Sequence, residues 1–158
     1  MKRLFLCLSL VLLAGCSTPV KQEIIHYVNE EVNPIYSLEE EAVDHLSSVT
    51  GSNYVDDETF YHTMVEEVLP RYEQFVQRLE SIEPESEELH KVHALFVEGA
   101  QMQRNSMRLS LQGVEQGSEE VIQEANLLLE EGKAKIDQYI AEMESLAEQY
   151  EVEYEVYQ

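Results

Sequence analysis

Apolar residues return every three or four positions over four long stretches of the chain, a spacing that sets them on one face of a helix. The clearest stretch is the last: Ile122, Ala125, Leu129, Gly132, Ile136, Tyr139, Met143, Leu146 and Tyr150 keep alternating steps throughout. Tyr61, Val65, Val68, Tyr72, Phe75, Leu79 and Ile82 do the same in a second helix, from about 57 to 82, despite Pro70 in its middle. The first stretch, from about 21 to 48, carries Ile25, Val28, Val32 and Ile35. Asn33-Pro34 interrupts it, because proline lacks a helical donor and clashes one turn back. Either the helix kinks there, or a new segment starts with Asn33 as cap and Pro34 in its first turn. The third stretch begins with Leu89, Val92 and Phe96 and then meets small residues at Gly99, Ser106, Ser110 and Gly113. These either let a neighbouring helix come close or leave a loosely packed face.

The punctuation agrees with that periodicity. Thr50-Gly51-Ser52-Asn53 stops the first helix, and Ser86-Glu87-Glu88 and Ser118-Glu119-Glu120 each offer a serine cap followed by two anions. Such anions favour the positive end of the helix dipole. The third helix is therefore placed at 87–116 and the fourth at 119–150. Four helices of roughly 40 Å each, joined by short loops, predict an all-α domain at 21–150, folded as an antiparallel up-down four-helix bundle with proline bends in the first two helices. The ending EVEYEVYQ, residues 151–158, is read as a frayed tail.

Ahead of this domain the pattern changes. Lys2 and Arg3 precede an apolar run from Leu4 to Leu13. Such a run suits a signal peptide and falls short of the about 20 residues a spanning helix needs. It ends in Leu13-Ala14-Gly15-Cys16, which resembles the lipobox of bacterial lipoproteins. The resemblance implies that residues 1–15 are a signal peptide, that Cys16 carries a diacylglycerol, and that the domain is displayed on the outer face of the cell membrane. Residues 16–20 then serve as lipidated cysteine and short tether. Four residues, Ser17 to Val20, reach at most roughly 15 Å, so the domain stands near the lipid surface. With Cys7 removed alongside the signal, no free thiol is left for redox or cysteine–metal chemistry.

Charge narrows the partners. The 158 residues hold 10 Lys plus Arg against 32 Asp plus Glu, a formal net of −22, which becomes −24 once Lys2 and Arg3 leave with the signal. A nucleic-acid partner would require a basic footprint, and none exists. With 44% hydrophobic residues the chain has enough apolar surface for a core, so its acidity marks a solvated face and not a disordered tail. The runs at Glu39–Glu41, Glu66-Glu67 and Glu130-Glu131 give diffuse attraction for cations without a coordination cage.

Candidate chemistry is sparse. No phosphate loop, nucleophile elbow, zinc-protease motif or calcium loop occurs, and no cofactor is implied. Glu-x-x-His appears twice, as Glu23–His26 and Glu87–His90, the spacing with which di-iron bundles hold metal. Glutamate is so abundant that about one such pair is expected by chance among five histidines. Both pairs sit beside the apolar stripe, at helix starts that an up-down arrangement would bring to the same end. His90 and His93 are read as a surface pair. Tyr61, Tyr72, Tyr139 and Tyr150 fall on the stripes as core residues, while Tyr27, Tyr36 and Tyr54 are assigned to loops and edges.

Two segments, LPRYEQFVQRLESIEPESEELHKVHALFVEGA at Leu69–Ala100 and EANLLLEEGKAKIDQYIAEMESLAEQY at Glu124–Tyr150, resemble a helical domain of uncharacterised membrane-anchored lipoproteins in Gram-positive bacteria. The shared marks are the proline in the second helix, the Ile82-Glu83-Pro84 breaker, the step from Glu88 to His93, and the Glu124-Ala125-Asn126 and Glu131-Gly132-Lys133 triplets. The resemblance implies the helical fold and the extracytoplasmic location, with no activity attached. The expectation is a lipid-anchored binding module whose partner is an envelope protein, and not an enzyme. The alternative is a carrier of divalent cations or small ligands that uses Glu23, His26, Glu87 and His90 at one end of the bundle.

Overall fold

The computed structural model describes residues 18–153, and the expected signal peptide, Cys16 and the tail beyond Glu153 lie outside that range. The described residues are helical throughout their regular structure, in four long runs with no strand. The first, α1 (residues 19–47), joins Pro19–His26, a π-helical stretch Tyr27–Val32 and Asn33–Ser47 without a break. Thr18 caps it by accepting from the Lys21 N–H, so Pro19 and Val20, expected in the tether, are already helical. A short 3₁₀ turn at Gly51–Asn53 leads to α2 (residues 57–80), built from Asp57–Thr63, a second π-helical stretch Met64–Val68, and Leu69–Glu80. Two uninterrupted helices follow, α3 (Glu87–Gln116) and α4 (Glu119–Gln149), capped by Ser86 and Ser118 as their serine-acidic starts predict.

The two π-helical stretches have one cause. Pro34 and Pro70 carry no N–H, and in an α-helix each ring would strike the carbonyl four residues back. The residue before each proline bonds five back instead: Asn33 N–H to the Val28 carbonyl and Leu69 N–H to the Met64 carbonyl. The widened turn makes room for the ring and the helix runs on. Asn33 is therefore a helical residue and no side-chain cap, and neither proline starts a separate helix.

A π turn absorbs an extra residue, so the buried face changes register across it. In α1 the core residues are Ile24, Tyr27, Val32, Ile35 and Ala42, with a step of five across the π stretch. On a pure α-helix that step would swing the side chain well off the seam. Ile25, expected in the stripe, is exposed, and Tyr27, expected at an edge, is 1% exposed. In α2 the core runs Phe60, Met64, Val68, Tyr72 in steps of four, then Phe75, Val76 and Leu79. Tyr61 and Val65, one residue along, lie 36% and 40% exposed, correcting the straight α-helical stripe drawn through them.

The other two helices keep their expected faces. In α3, Leu89, Val92, Phe96, Gly99, Ser106 and Gly113 are buried. Every position of the α4 stripe is buried or half-buried, with Ala125, Gly132 and Leu146 the most enclosed. The small residues admit a close approach: the Gly132 carbonyl lies 3.0 Å from where a Cβ on Gly99 would stand, and the Gly99 carbonyl 3.0 Å from one on Gly132. Loose packing is thereby ruled out for this part of α3. Gly117, at φ +61°, closes α3 with Ser118 N–H bonded back to the Gly113 carbonyl at 2.9 Å, the left-handed stop that glycine adopts without strain.

Candidate functional site

One end of the domain gathers the start of α1, the 81–86 loop, the start of α3 and the end of α4. Glu23, on the first turns of α1, accepts hydrogen bonds from the main-chain N–H groups of Glu85 at 2.6 Å and Ser86 at 2.9 Å. It thus supplies the anion that the N-terminus of α3 attracts. Burial works to raise its carboxyl, but hydrogen bonds from Ser86 and Glu85 outweigh that and hold it below the ordinary carboxylate range. Lys21 Nζ donates to the Glu151 carbonyl just past α4, a second tie at this end of the domain.

Beneath these surface ties lies a buried polar contact. His93 on α3 is 5% exposed, which corrects its assignment to a surface pair; only His90 lies open to solvent. The Tyr27 hydroxyl stands 3.0 Å from His93 Nδ1, the two rings edge to face at 5.6 Å and 83°. The imidazole also faces the main-chain carbonyls of Leu79 and Ile82, which favour an N–H on that side and leave Nδ1 as the acceptor for Tyr27. From α4 the Tyr139 hydroxyl interacts with that of Tyr27, and its ring stacks on Phe96 at 4.4 Å and 14°. Burial lowers the His93 pKa, reinforced by the nearby His90, while the two carbonyls oppose the shift. Tyr27 is pushed far up by burial first, then by Tyr139 and Glu31.

One edge of His93 reaches a cleft of about 560 Å³ between the end of α2 and the face of α3. Glu80, Glu83, Glu98 and His90 surround an apolar floor that includes Ile82 and Val97. Glu98 is already joined to Lys135 at 2.7 Å, and Glu80 accepts from Gln101 at 2.7 Å. The cleft is open and its acids are largely partnered.

The four weak metal candidates are brought to the same end, as Glu23 touching Ser86 beside Glu87 makes plain, yet they do not converge on one point. Glu23 is committed to the α3 start, and exposed His26 lies 3.7 Å from Glu31. Glu87 is held by Lys91 at 2.6 Å, which draws its carboxyl down, and His90 faces the cleft. Among the described residues no group of three His, Cys, Asp or Glu side chains is disposed to hold a metal ion. The members that sequence reasoning missed are Tyr27, His93 and Tyr139 acting together. Tyr139 lay on a stripe, but Tyr27 and His93 were each placed on the surface, and no local spacing links positions 66 residues apart.

No family model, no curated protein and no solved structure matches the chain. Among the described residues no helix is long and apolar enough to cross a membrane.

Proposed function

We propose that this is a lipid-anchored domain on the extracytoplasmic face of the cell membrane, acting by binding an envelope protein and not by catalysis. The observation that carries the reading is the order Leu13-Ala14-Gly15-Cys16 after an apolar run too short to span a bilayer. The helical domain begins at Pro19, three residues past that cysteine, so the anchor and the first helix are almost continuous. An envelope partner is favoured over nucleic acid by the charge. Arg71, Lys91, Arg104, Arg108, Lys133 and Lys135 are each spent on glutamates of this chain. The remaining surface is strongly acidic and suits a partner that presents cations. The cation-carrier reading draws less support, because Glu23 and Glu87 both have partners within the domain.

The arrangement we propose is an antiparallel up-down four-helix bundle, bent at Pro34 and Pro70. Its support is the order of the cross-helix pairs. Glu41 and His45 of α1 meet Arg71 and Glu67 of α2, in reverse order. Phe96 and Arg108 of α3 meet Phe75 and Glu73 of α2, and Gly99 and Gly113 of α3 meet Ile136 and Ile122 of α4. Glu23 beside Ser86 and Tyr27 beside His93 run in the same order, as α1 and α3 should in such a bundle.

The test is Cys16→Ser followed by fractionation and metabolic lipid labelling. The variant should lose the label and either shift to the medium or keep its signal uncleaved. A variant that is processed normally and still needs detergent for release would overturn the lipoprotein reading.

A further inference from the structure

The first half of α1 is fastened to the rest of the domain by three long-range polar ties, and they differ in kind. Lys21 to the Glu151 carbonyl is exposed, and Glu23 to Glu85 and Ser86 lies at the surface. Tyr27 to His93 alone is buried, and it joins an imidazole to the first residue of a π-helical stretch. A π turn in a helix persists where its surroundings over-determine it. Here Pro34 fixes one side of the turn and the Tyr27 hydroxyl bond pins the other.

We propose that Tyr27 and His93 form an acid-sensitive latch, which holds residues 19–32 against α3 and α4 while the imidazole is neutral and loosens them when it takes a proton. The chemistry follows from the surroundings. Neutral His93 offers one acceptor, to Tyr27, and one donor, to the carbonyls of Leu79 and Ile82. Protonation turns Nδ1 into a donor, so Tyr27 must reverse its hydroxyl toward Tyr139 or part from the ring. It also places a cation in a site 5% exposed, which is costly without a partnered anion.

Every charged or titratable neighbour bears on this. Tyr27 and, through it, Glu31 face the site from α1; Tyr139 faces it from α4. His90 on α3 opposes a second positive charge. Glu80 and Glu83, at and beyond the end of α2, and Glu98 on α3, itself paired with Lys135 of α4, line the adjacent cleft and would attract one. No hydrogen bond or ion pair joins any of these carboxylates to the imidazole among the described residues, and the net direction for His93 is downward, with burial leading. A histidine lowered in the fold binds its proton more readily in the unfolded or opened chain. The latch is therefore fully engaged above the ordinary histidine value of 6.5 and weakens as pH falls from there through the folded value. On the anchored reading above, the loosened segment is the one nearest the lipid, so acid would free the domain to tilt on its tether. The latch itself does not depend on that reading.

The test is hydrogen exchange of the full chain in mild detergent, at about pH 7.5 and about pH 5.5, expressed as protection factors so that the chemical pH dependence drops out. Residues 19–32 should lose about tenfold in protection at the lower pH, while the centres of α3 and α4 hold theirs. His93→Gln keeps an acceptor for Tyr27 and cannot titrate, so its protection in 19–32 should not change with pH. Tyr27→Phe should lower protection in that segment at both values. A pH-dependent loss in His93→Gln as large as the parent's overturns the latch, as does the absence of any loss in 19–32, or a uniform loss over the whole domain, in the parent. Should the glutamine variant fail to fold, the imidazole resonances of the parent decide: His93 must titrate below the exposed histidines, and titration with them refutes the proposal.

Discussion

Gly132→Ala tests how closely α3 and α4 approach, and two opposing effects set its sign. In an exposed stretch of helix, replacing glycine by alanine stabilises by about 1 kcal/mol, because the backbone gives up less freedom on folding. At Gly132 the added methyl would stand 3.0 Å from the Gly99 carbonyl oxygen, 3.0 Å from Gln103 Cγ and 3.1 Å from Met102 Cβ. The Gln103 carbon can shift with its rotamer. The carbonyl and the Met102 Cβ are fixed to α3, so relief requires the helices to separate along a contact that also places Ser106 Oγ on the Ala125 carbonyl at 2.7 Å. Overpacking of this kind costs about 1–3 kcal/mol. With two immovable contacts the upper half of that range applies, and the net loss is about 1–2 kcal/mol after the propensity gain.

Urea unfolding followed by circular dichroism measures it. With a slope of about 2 kcal/mol per molar urea, the midpoint should fall by roughly 0.5–1 M. Gly99→Ala supplies the internal control. Its methyl would meet Ile136 Cδ1 at 2.7 Å as well as the Gly132 carbonyl at 3.0 Å, and the first of these is the tip of a flexible chain. Ile136→Val removes that tip and should restore part of the loss in Gly99→Ala. It should leave Gly132→Ala uncorrected, with a coupling below about 0.5 kcal/mol. A rise in midpoint for Gly132→Ala, the sign of a helix glycine in open space, would refute the backbone contact between α3 and α4.

Two further outcomes follow from the same packing. Glu23→Gln removes the charge at the start of α3 and should cost about 1 kcal/mol at neutral pH; since the folded carboxyl lies below its ordinary 4.5, its contribution is complete above that value and fades as pH falls through the folded one, so parent and variant should converge in acid, and a constant gap would refute the assignment. Ile136→Ala, which strips a half-buried side chain from the core, should cost about 2 kcal/mol in the same unfolding assay, while exposed Glu142→Ala should move the midpoint little and moderate salt should raise it for both by screening the net −22.

Helix ends were the most legible part of this chain, because they are written in local chemistry. A serine before two glutamates places donors, acceptors and charge where a helix N-terminus needs them, and both such starts lie where that logic puts them, at Glu87 and Glu119. The faces of α3 and α4 were legible for a related reason: neither helix contains a proline, so one period serves from end to end. The faces of α1 and α2 were not, although the cause was in plain view. Pro34 and Pro70 announce a disturbance, and a bend or a stop is the usual expectation. At each the chain inserts a wide turn, and the stripe on its N-terminal side shifts by one residue. Phe60 and Met64 take the interior that Tyr61 and Val65 were assigned, and Ile24 takes that of Ile25. A rule follows that can be applied to sequence: where a stripe crosses a proline inside a helix, a longer step, five in α1 or a run of fours in α2, is to be weighed against alternating threes and fours. Tyr27 to Val32 is such a step, and it was available to count.

The polar centre was hidden for a different reason. Tyr27, His93 and Tyr139 come from three helices, and what unites them is burial, which no motif records. A histidine in a stretch rich in charge reads as surface, since neighbours at Glu87, Glu88, His90 and Lys91 are all exposed. Its placement inside follows from the helical period: His93 falls one step past Val92 and three before Phe96, on the buried side of α3. The Glu-x-x-His spacing drew attention to the other member of the pair, His90, whose role in a metal site would have required the carboxylates of Glu23 and Glu87 to be unspent. Both are instead engaged within the domain: Glu23 ties α1 to the start of α3, and Glu87 pairs with Lys91 one turn on in the same helix. In a chain with three acids for every base, a carboxylate is the commonest available tie and therefore weak evidence for a ligand. A buried imidazole with a tyrosine on one nitrogen has no such surplus of alternatives, and so it is the better place to look for regulation.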